Sequence, residues 1–528
     1  MQWSVGKILS KRAVLTPERI AIRFEGQPIT YQALNAETNR LAHLFQDKGL
    51  KKGDRIAVDL LNCPEMVACY MAAAKLGLIF VPLNFRMVSR ELEYQLNQCQ
   101  CRLLIFHDTF KDRIEPIRHA VAVEEDKFIC LSTDAKNAPI HPDWTMDYHQ
   151  ALSNMASTEP EIDRPIDLDD PLIILYTSGV TGAPKGAVIT HGQTYFKCFQ
   201  NINYTDMRQD DIFQSQAPLC HSAGLCAVTT PALCRGATLL MRHHFDAATF
   251  AKDIEKYRAT LVFGLTTMFR FILETGLLDS LDFSSVRMFF GGGERTSQDF
   301  LDTLAEKGIH LLVGFGQTEN SAMVLMPEWA ADSKPGAMGL PNFFTELWVE
   351  NPEGERLPVG EIGEIVAIGP NVMKEYWHMP EETSQAIVNG VLHTGDLGYL
   401  DEDGFVYLVD RAKDMYRSGA ENVYPAEVEA VLADHPKIEL VAIIGIPDHK
   451  WGETGKAYIQ CKTGEDITLA EVHEFLAGKV AKYKFPTCIE TIDAMPKTVW
   501  GKLKKAELKK MHMQRLDPTY TSGLKREN

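Results

Sequence analysis

Paired cysteines are missing from this 528-residue chain: the eleven cysteines are scattered and odd in number, no C-x-x-C occurs, and Cys99 and Cys101 in QCQC lack the partner spacing of a zinc site. A disulfide-stapled secreted domain and a zinc finger are thereby excluded, and reduced thiols in a cytoplasmic protein fit the pattern. Excess positive charge is missing too. Lys and Arg number 54 against 71 Asp and Glu, and the net charge of -17 opposes general attraction to nucleic acid or an anionic membrane. Long apolar runs are also lacking. The most apolar stretch, Met66 to Leu83, contains Lys75, Gly77 and Pro82, so it reads as a buried helix followed by a strand, with no membrane span. Met1 to Arg12 has no apolar core of signal-peptide length, and the final KREN matches neither a prenylation nor a peroxisomal signal. There is no internal repeat or low-complexity tract.

What is present is a chain with 45% hydrophobic residues, long enough for roughly two to four domains. Helical and strand patterns alternate, which predicts α/β architecture. Thr30 can cap a helix with Leu34, Leu41 and Phe45 on its apolar face, and Arg55 to Leu61 reads as a strand. Past Asp396 the pattern becomes a hairpin, GYL then DEDG then FVYLVD, with Asp403-Gly404 as the turn. A compact region from about Ala412 to Lys510 follows, and Met511 to Asn528 reads as a loose polar tail.

LYTSGVTGAPKGAVITH, Leu175 to His191, is suited to phosphate: glycines let N–H groups approach an anion, and Thr177, Ser178, Thr181 and Lys185 add donors and charge. It is not a Walker A loop, because Pro184 stands where the second glycine belongs and Gly186 where the magnesium-binding hydroxyl belongs. Its apolar flanks predict strands on both sides. From the loop alone, a surface turn rich in small residues stays open as the other reading.

Val286 to Phe290 ends in GGGER, Ser297 to Lys307 reads as a helix, and His310 to Val313 ends in GFGQTEN. Such a strand, helix, strand unit puts both glycine loops at one carboxyl edge, where open α/β sheets bind ligands. If Leu172 to Leu175 is parallel to them, all three loops line one crevice. That crevice suits a nucleotide: Phe315 can offer a face to a purine, or be an ordinary core aromatic, and Thr318 and Glu319 offer a hydroxyl and a carboxylate to phosphate and magnesium.

In order, YTSGVTGAPKG from Tyr176, PLCHSAG from Pro218, GFGQTE from Gly314, HTGD from His393, DRAKDMYRSGAENVYPAEVE from Asp410 and PKTVWGKL from Pro496 resemble the adenylate-forming superfamily. It includes acyl-CoA synthetases, peptide-synthetase adenylation domains and firefly luciferase. The resemblance runs from about Thr30 to Leu508. It implies a large N-terminal domain of stacked αβ sheets plus a β-rich subdomain over 1–411. It also implies a small mobile α+β C-terminal domain over 412–528, hinged near Lys413.

The implied activity is that of an acyl-CoA synthetase: a carboxylic acid attacks the α-phosphate of ATP with Mg2+, pyrophosphate leaves, and the acyl-adenylate is captured by the thiol of coenzyme A. The resemblance assigns the β- and γ-phosphates to Thr177, Ser178, Gly179, Thr181, Gly182 and Lys185, with Val180 where the family usually has threonine. Gly292, Gly293, Glu294 and Phe315 would surround adenine, with Gly314, Gly316 and Gln317 of the same motif beside the nucleotide. Asp396 would accept from the ribose hydroxyls, Arg411 would contact ribose or phosphate, Thr318 the α-phosphate, and Glu319 would bind the metal.

Lys502 matches the adenylation lysine. Its alternative reading is one charge on the solvated basic run that also holds Lys504 and Lys505. His221 would gate the thiol path, and Ser418, Gly419 and Ala420 would face pantetheine. The acyl pocket would draw on Tyr195 to Phe199, Ala223, Ala227, Gly291 to Gly293, Gly314 and Met323, with little charge and hence no welcome for a second carboxylate.

PLCHSAG lacks the aspartate by which amino-acid adenylation domains hold an α-ammonium, so an acid without an α-amine is expected, medium-chain fatty or aryl. The alternatives are a carrier-protein thiol as acceptor, or a non-catalytic acyl or nucleotide sensor. The oligomeric state is not read from the sequence, a homodimer being one candidate.

Overall fold

The computed structural model describes residues 3–132, 141–177, 183–292, 296, 298–411, 415–419, 421–496 and 505–516. Contacts divide the chain into two units, the first holding residues 1–85, 92–177 and 185–410 and the second residues 86–91, 178–184 and 411–528. The class is the expected α/β mixture, with a large N-terminal part built on sheets and a small C-terminal part.

In the first unit the Thr30 hydroxyl accepts from the Ala33 N–H at 3.1 Å and opens α1 (Tyr31–Asp47), whose buried stripe includes Leu34, Leu41 and Phe45. β1 (Arg55–Asp59) follows. The apolar stretch becomes α2 (Pro64–Leu76), buried on nearly every side, and β2 (Ile79–Pro82). Lys75 is tolerated inside this core because its ammonium donates to Asn35, Asn39 and Glu159 at 2.7–2.8 Å.

β3 (Pro171–Thr177) and β4 (Lys185–Thr190) flank the first glycine-rich loop as an antiparallel pair, so the predicted strand flanks are present. Both belong to an eight-stranded sheet with β1 and β2. A capping box between Thr190 and Gln193 starts α3 (His191–Tyr204) directly after β4. β5 (Met288–Gly292), α4 (Gln298–Glu306) and β6 (Leu311–Gln317) realise the predicted strand, helix and strand. β5 and β6 are parallel in a nine-stranded sheet, and β7 (Ser321–Leu325) turns back antiparallel to β6.

One expectation is corrected. Leu172 to Leu175 lies in β3, in the eight-stranded sheet rather than beside β5 and β6, so the three glycine loops do not leave one sheet edge. The connection is made instead by the two-residue strand β8 (Glu375–Tyr376), which pairs with β4. β9 (Val391–Leu400) and β10 (Val406–Arg411) are the predicted hairpin and belong to a five-stranded sheet.

The second unit has its own five-stranded sheet of β11 (Tyr416–Ser418), β12 (Glu421–Val423), β13 (Ile438–Asp448), β14 (Gly452–Cys461) and β15 (Cys488–Thr491). Two helices, α5 (Pro425–Leu432) and α6 (Leu469–Leu476), share an apolar core with it through Val428, Leu432, Ile443, Ile459, Val472 and Leu476. The predicted tail is corrected in part: α7 (Lys505–Leu516) continues through Met511. Leu508 and Met511 bury against Ala442, Ile444, Tyr458 and Met495, an apolar surface that the polar composition of the segment conceals. Residues 517–528 lie outside the described residues.

Candidate active site

The turn between β6 and β7 carries Thr318 and Glu319. It is tight. A Cβ at Gly316 would come within 1.9 Å of the Ser321 carbonyl oxygen, and Ser321 itself adopts φ 62°, so the strands can close here only over a glycine. Buried asparagines hold the turn from beneath. The Asn320 side-chain oxygen accepts from the Gln317 N–H at 2.9 Å, and Asn371 Nδ2 donates to the Asn320 carbonyl at 2.9 Å.

Two further sheets are tied to this turn. Gln317 Nε2 donates to Asp396 Oδ2 at 2.6 Å and to the Thr394 carbonyl at 2.8 Å, fixing the carboxylate of HTGD in β9 to the GFGQTE strand. Asp396 is 8% exposed, and its N–H donates to Thr394 Oγ1 at 3.1 Å. Glu364 accepts from the Gly395 N–H at 2.8 Å and contacts His393 Nδ1 at 3.1 Å, which steadies the same bend.

On the other side, the Tyr376 hydroxyl donates to Glu319 Oε1 at 2.7 Å, and the Met373 N–H donates to the Glu319 carbonyl at 2.6 Å. The Lys185 ammonium stands 5.3 Å from the centroid of the Tyr376 ring. Lys185 and Thr177 are register partners in β3 and β4. The Asp396 and Glu319 carboxylates, the Tyr376 hydroxyl and the Lys185 ammonium are thus linked pairwise across three sheets through Gln317 and Tyr376.

The remaining glycines have a packing role. Gly292 and Gly314 are register partners, and a Cβ at Gly292 would fall 2.5 Å from the Gly314 carbonyl oxygen, so this bare pair lets β5 and β6 approach. Phe315 is 8% exposed and packs with Val313, Met323, Leu347 and Val349, which leaves little of its ring open. His221 is half-buried, and its N–H donates to the Pro218 carbonyl at 3.1 Å. Directly after it runs a π-helix, Ala223–Thr229, a rare conformation often found at functional sites.

Ser418 and Gly419 lie in the second unit, where Ser418 pairs with Gly452 and the Gly419 N–H donates to the Trp451 carbonyl at 2.8 Å. Ser178, Gly179, Val180, Thr181, Gly182, Gly293, Glu294, Lys413, Ala420 and Lys502 lie outside the described residues, as does the side chain of Arg411. Tyr376, Glu364, Asn320 and Asn371 were missed by the sequence reading. Three are polar residues in unremarkable loops and strands, and Asn320, the last residue of GFGQTEN, was given no role.

The donor set fits a nucleotide with a hard divalent cation. Glu319 keeps one carboxylate oxygen beyond the one that accepts from Tyr376, and no group of three or more His, Cys, Asp or Glu side chains among the described residues could cage a metal. One protein carboxylate, completed by phosphate oxygens and water, is the usual demand of Mg2+.

Residues 9–377 match the family described as "AMP-binding enzyme", and residues 427–502 match "AMP-binding enzyme C-terminal domain". A feruloyl-CoA synthase of Amycolatopsis sp is 36% identical, with 95% of this chain and 97% of that protein covered. An indoleacetate–CoA ligase of Aromatoleum aromaticum is 31% identical over 95% of this chain and 97% of its own length. Among solved structures, an o-succinylbenzoate CoA synthetase of Bacillus subtilis bound with a product analogue has a TM-score of 0.85 at 31% identity, covering 97% of this chain and 99% of that one.

Proposed function

This chain belongs to the AMP-binding enzyme family and is an ATP-using, AMP-forming acid–thiol ligase that makes acyl-CoA, and from that premise we propose an aromatic or arylalkenoic acid as its substrate. The names of the relatives at 36% and 31% identity support the acid class. The acid carboxylate attacks the α-phosphorus of ATP, the bond to the bridging oxygen breaks, and pyrophosphate leaves. The thiol of coenzyme A then attacks the acyl carbon and AMP leaves.

In this reading Thr177, Lys185 and the loop between them hold the departing phosphates, and Thr318 donates to the α-phosphate. Asp396 accepts from both ribose hydroxyls. Gly292 and Phe315 border adenine, and Arg411 lies toward ribose or phosphate. Glu319 takes Mg2+, which when bound relieves charge repulsion between the phosphates and the attacking carboxylate. Lys502 supplies the cation that bridges the two reacting anions, His221 gates the thiol, and the second unit turns about Lys413 so that Ser418 and Gly419 meet pantetheine. The setting is cytoplasmic, where all eleven cysteines stay as free thiols. Among the described residues no helix is long and apolar enough to cross a membrane.

The observation that supports these roles most is the pair of ties from the Thr318–Glu319 turn, through Gln317 to Asp396 and through Tyr376 to β4. They tie Asp396 and Glu319 to the turn that carries Thr318, and this supports the reading because charge-stabilising catalysis requires preorganised groups. Pyrophosphate release across benzoic, cinnamic, indoleacetic and straight-chain acids, each with and without CoA, tests the reading. Multiple turnovers with aromatic acids and CoA are expected, and a clear preference for straight-chain acids would defeat the substrate class.

A further inference from the structure

Five lysines are buried among the described residues, and four of them hold a carboxylate: Lys75 with Glu159, Lys127 with Glu124, Lys456 with Glu490 and Lys484 with Glu427. The fifth, Lys197, is 0% exposed and its Nζ has no hydrogen-bond partner. An ammonium removed from water without a partner is among the costliest groups a fold can hold. A lysine kept for structure brings its counter-charge with it, as the other four do. A lysine kept for a ligand does not.

The surroundings point the same way. Lys197 lies one turn before Gln200 in α3, and Gln200 Nε2 donates to the Ala322 carbonyl in β7 at 3.1 Å, so this helix face rests on β7. The π-helix packs against both α3 and β7. At the same junction Gln200 Oε1 and Ser321 Oγ are also buried without a partner. Folded interiors satisfy the large majority of such groups, so three together mark a place built to meet polar atoms. Tyr195 and Phe199 stand on the opposite face of α3, where they stack at 5.8 Å and the Tyr195 hydroxyl donates to the Ser4 carbonyl. Burial lowers the Lys197 amine to about 8, against an opposing influence from Glu319 of the β6–β7 turn, as expected of an amine held without a paired carboxylate. β7 begins directly after the Thr318–Glu319 turn, so the helix face that rests on it lies near the turn assigned to the reacting groups.

We infer that Lys197 determines specificity in the acyl site by receiving a second oxygen acceptor on the acid, a carboxylate or a phenolic or methoxy oxygen, distinct from the carboxylate that reacts. The inference rests on the acid–thiol ligase reading. An unsubstituted acid leaves the ammonium buried and unpaired, whereas an acceptor oxygen gives it a charge-assisted hydrogen bond. Sites built this way discriminate strongly against analogues that lack the group. The expectation that this segment would not welcome a second carboxylate is thereby revised, since Lys197 lies within it.

The test compares cinnamic, 4-hydroxy-3-methoxycinnamic and 4-carboxycinnamic acids with the full-length wild type and with Lys197→Met, reading kcat and KM in the CoA-forming assay and the melting temperature. The wild type is expected to favour at least one acceptor-bearing acid by about 10- to 100-fold in kcat/KM, mainly through KM, the range of a hydrogen bond to a charged group. Which of the two acids is favoured separates a second carboxylate from a phenolic or methoxy oxygen. In K197M the acids should converge to within about threefold as the acceptor-bearing acids lose their advantage through KM, with the melting temperature unchanged or higher, because an unpaired buried charge has been removed. An equal loss for every acid would assign Lys197 to the reacting carboxylate and overturn the inference, as would a wild type indifferent to the acceptor. The wild-type comparison among the acids decides even if K197M does not fold. Turnover with cinnamic acid preferred would sink this inference and leave the ligase standing, whereas no turnover with any acid would remove the ligase reading itself.

Discussion

The side-chain amide of Gln317 spans 2.6 Å to Asp396 Oδ2, joining the end of a strand in the nine-stranded sheet to the middle of β9 in the five-stranded sheet of the first unit. If Asp396 holds the ribose diol, Gln317 sets its distance from Thr318. Gln317→Ala should raise KM for ATP by about tenfold while changing kcat less, the effect of losing one hydrogen bond to a charged group. Initial rates at varied ATP measure it. A fall in kcat at constant KM would place Gln317 in the chemical step instead.

Tyr376 orients Glu319 by one hydroxyl. Tyr376→Phe keeps the ring that faces Lys185 and removes only that donor. The Mg2+ concentration for half-maximal pyrophosphate exchange should shift by about tenfold, with saturating rates nearly preserved. An unchanged Mg2+ dependence would separate Glu319 from the metal.

The two half-reactions should separate by variant. Lys502→Ala is expected to slow adenylate formation by about two to three orders of magnitude, the usual loss for one preorganised charge donor, and to spare thioester formation from supplied acyl-AMP. Lys413→Pro should do the reverse, because a locked φ cannot absorb a hinge rotation. Rapid-quench measurement of each step reads both, and equal losses in both steps would argue against a hinge at Lys413.

His191 and His107 should make the fold acid-sensitive. Each accepts a backbone N–H through Nδ1, from Val5 at 3.1 Å and from Leu61 at 3.0 Å, which requires a neutral ring. Burial lowers His191 to about 4 against partial support from Asp170, and burial with the nearby His243 lowers His107 to about 3. Both folded-state values lie below the unfolded one, so the unfolded chain binds more protons. The stabilisation is therefore full above about pH 6.5 and is lost as pH falls toward 4, by about 3 kcal/mol for His191. Urea unfolding at pH 7 and pH 5 measures the loss, and equal stability at both would refute it.

Much of this was legible in the sequence, for local reasons. Thr30 as a cap, the β5–α4–β6 unit and the Asp403-Gly404 hairpin depend on neighbours within one element or one turn. Sheet membership does not. The apolar run of β3 suits either sheet, and nothing in it records that β8, nearly two hundred residues later, joins β4 and brings Tyr376 to Glu319. The helix through Met511 was hidden for a related reason: its few apolar residues find their partners on β13 and β14. Lys197 stood in view within a segment named for the acyl pocket. Its distinction from Tyr195 and Phe199 is one of helical phase, and its lack of a partner is a property of the folded core.

The most direct test is the product balance with 4-hydroxy-3-methoxycinnamic acid, ATP, Mg2+ and CoA, following AMP, ADP, pyrophosphate and acyl-CoA together by chromatography. An AMP-forming ligase working through the three-sheet site yields AMP, pyrophosphate and the CoA thioester in equal amounts, and Asp396→Ala should suppress all three together. Formation of ADP and phosphate, or AMP released in excess of thioester at saturating CoA, would contradict it.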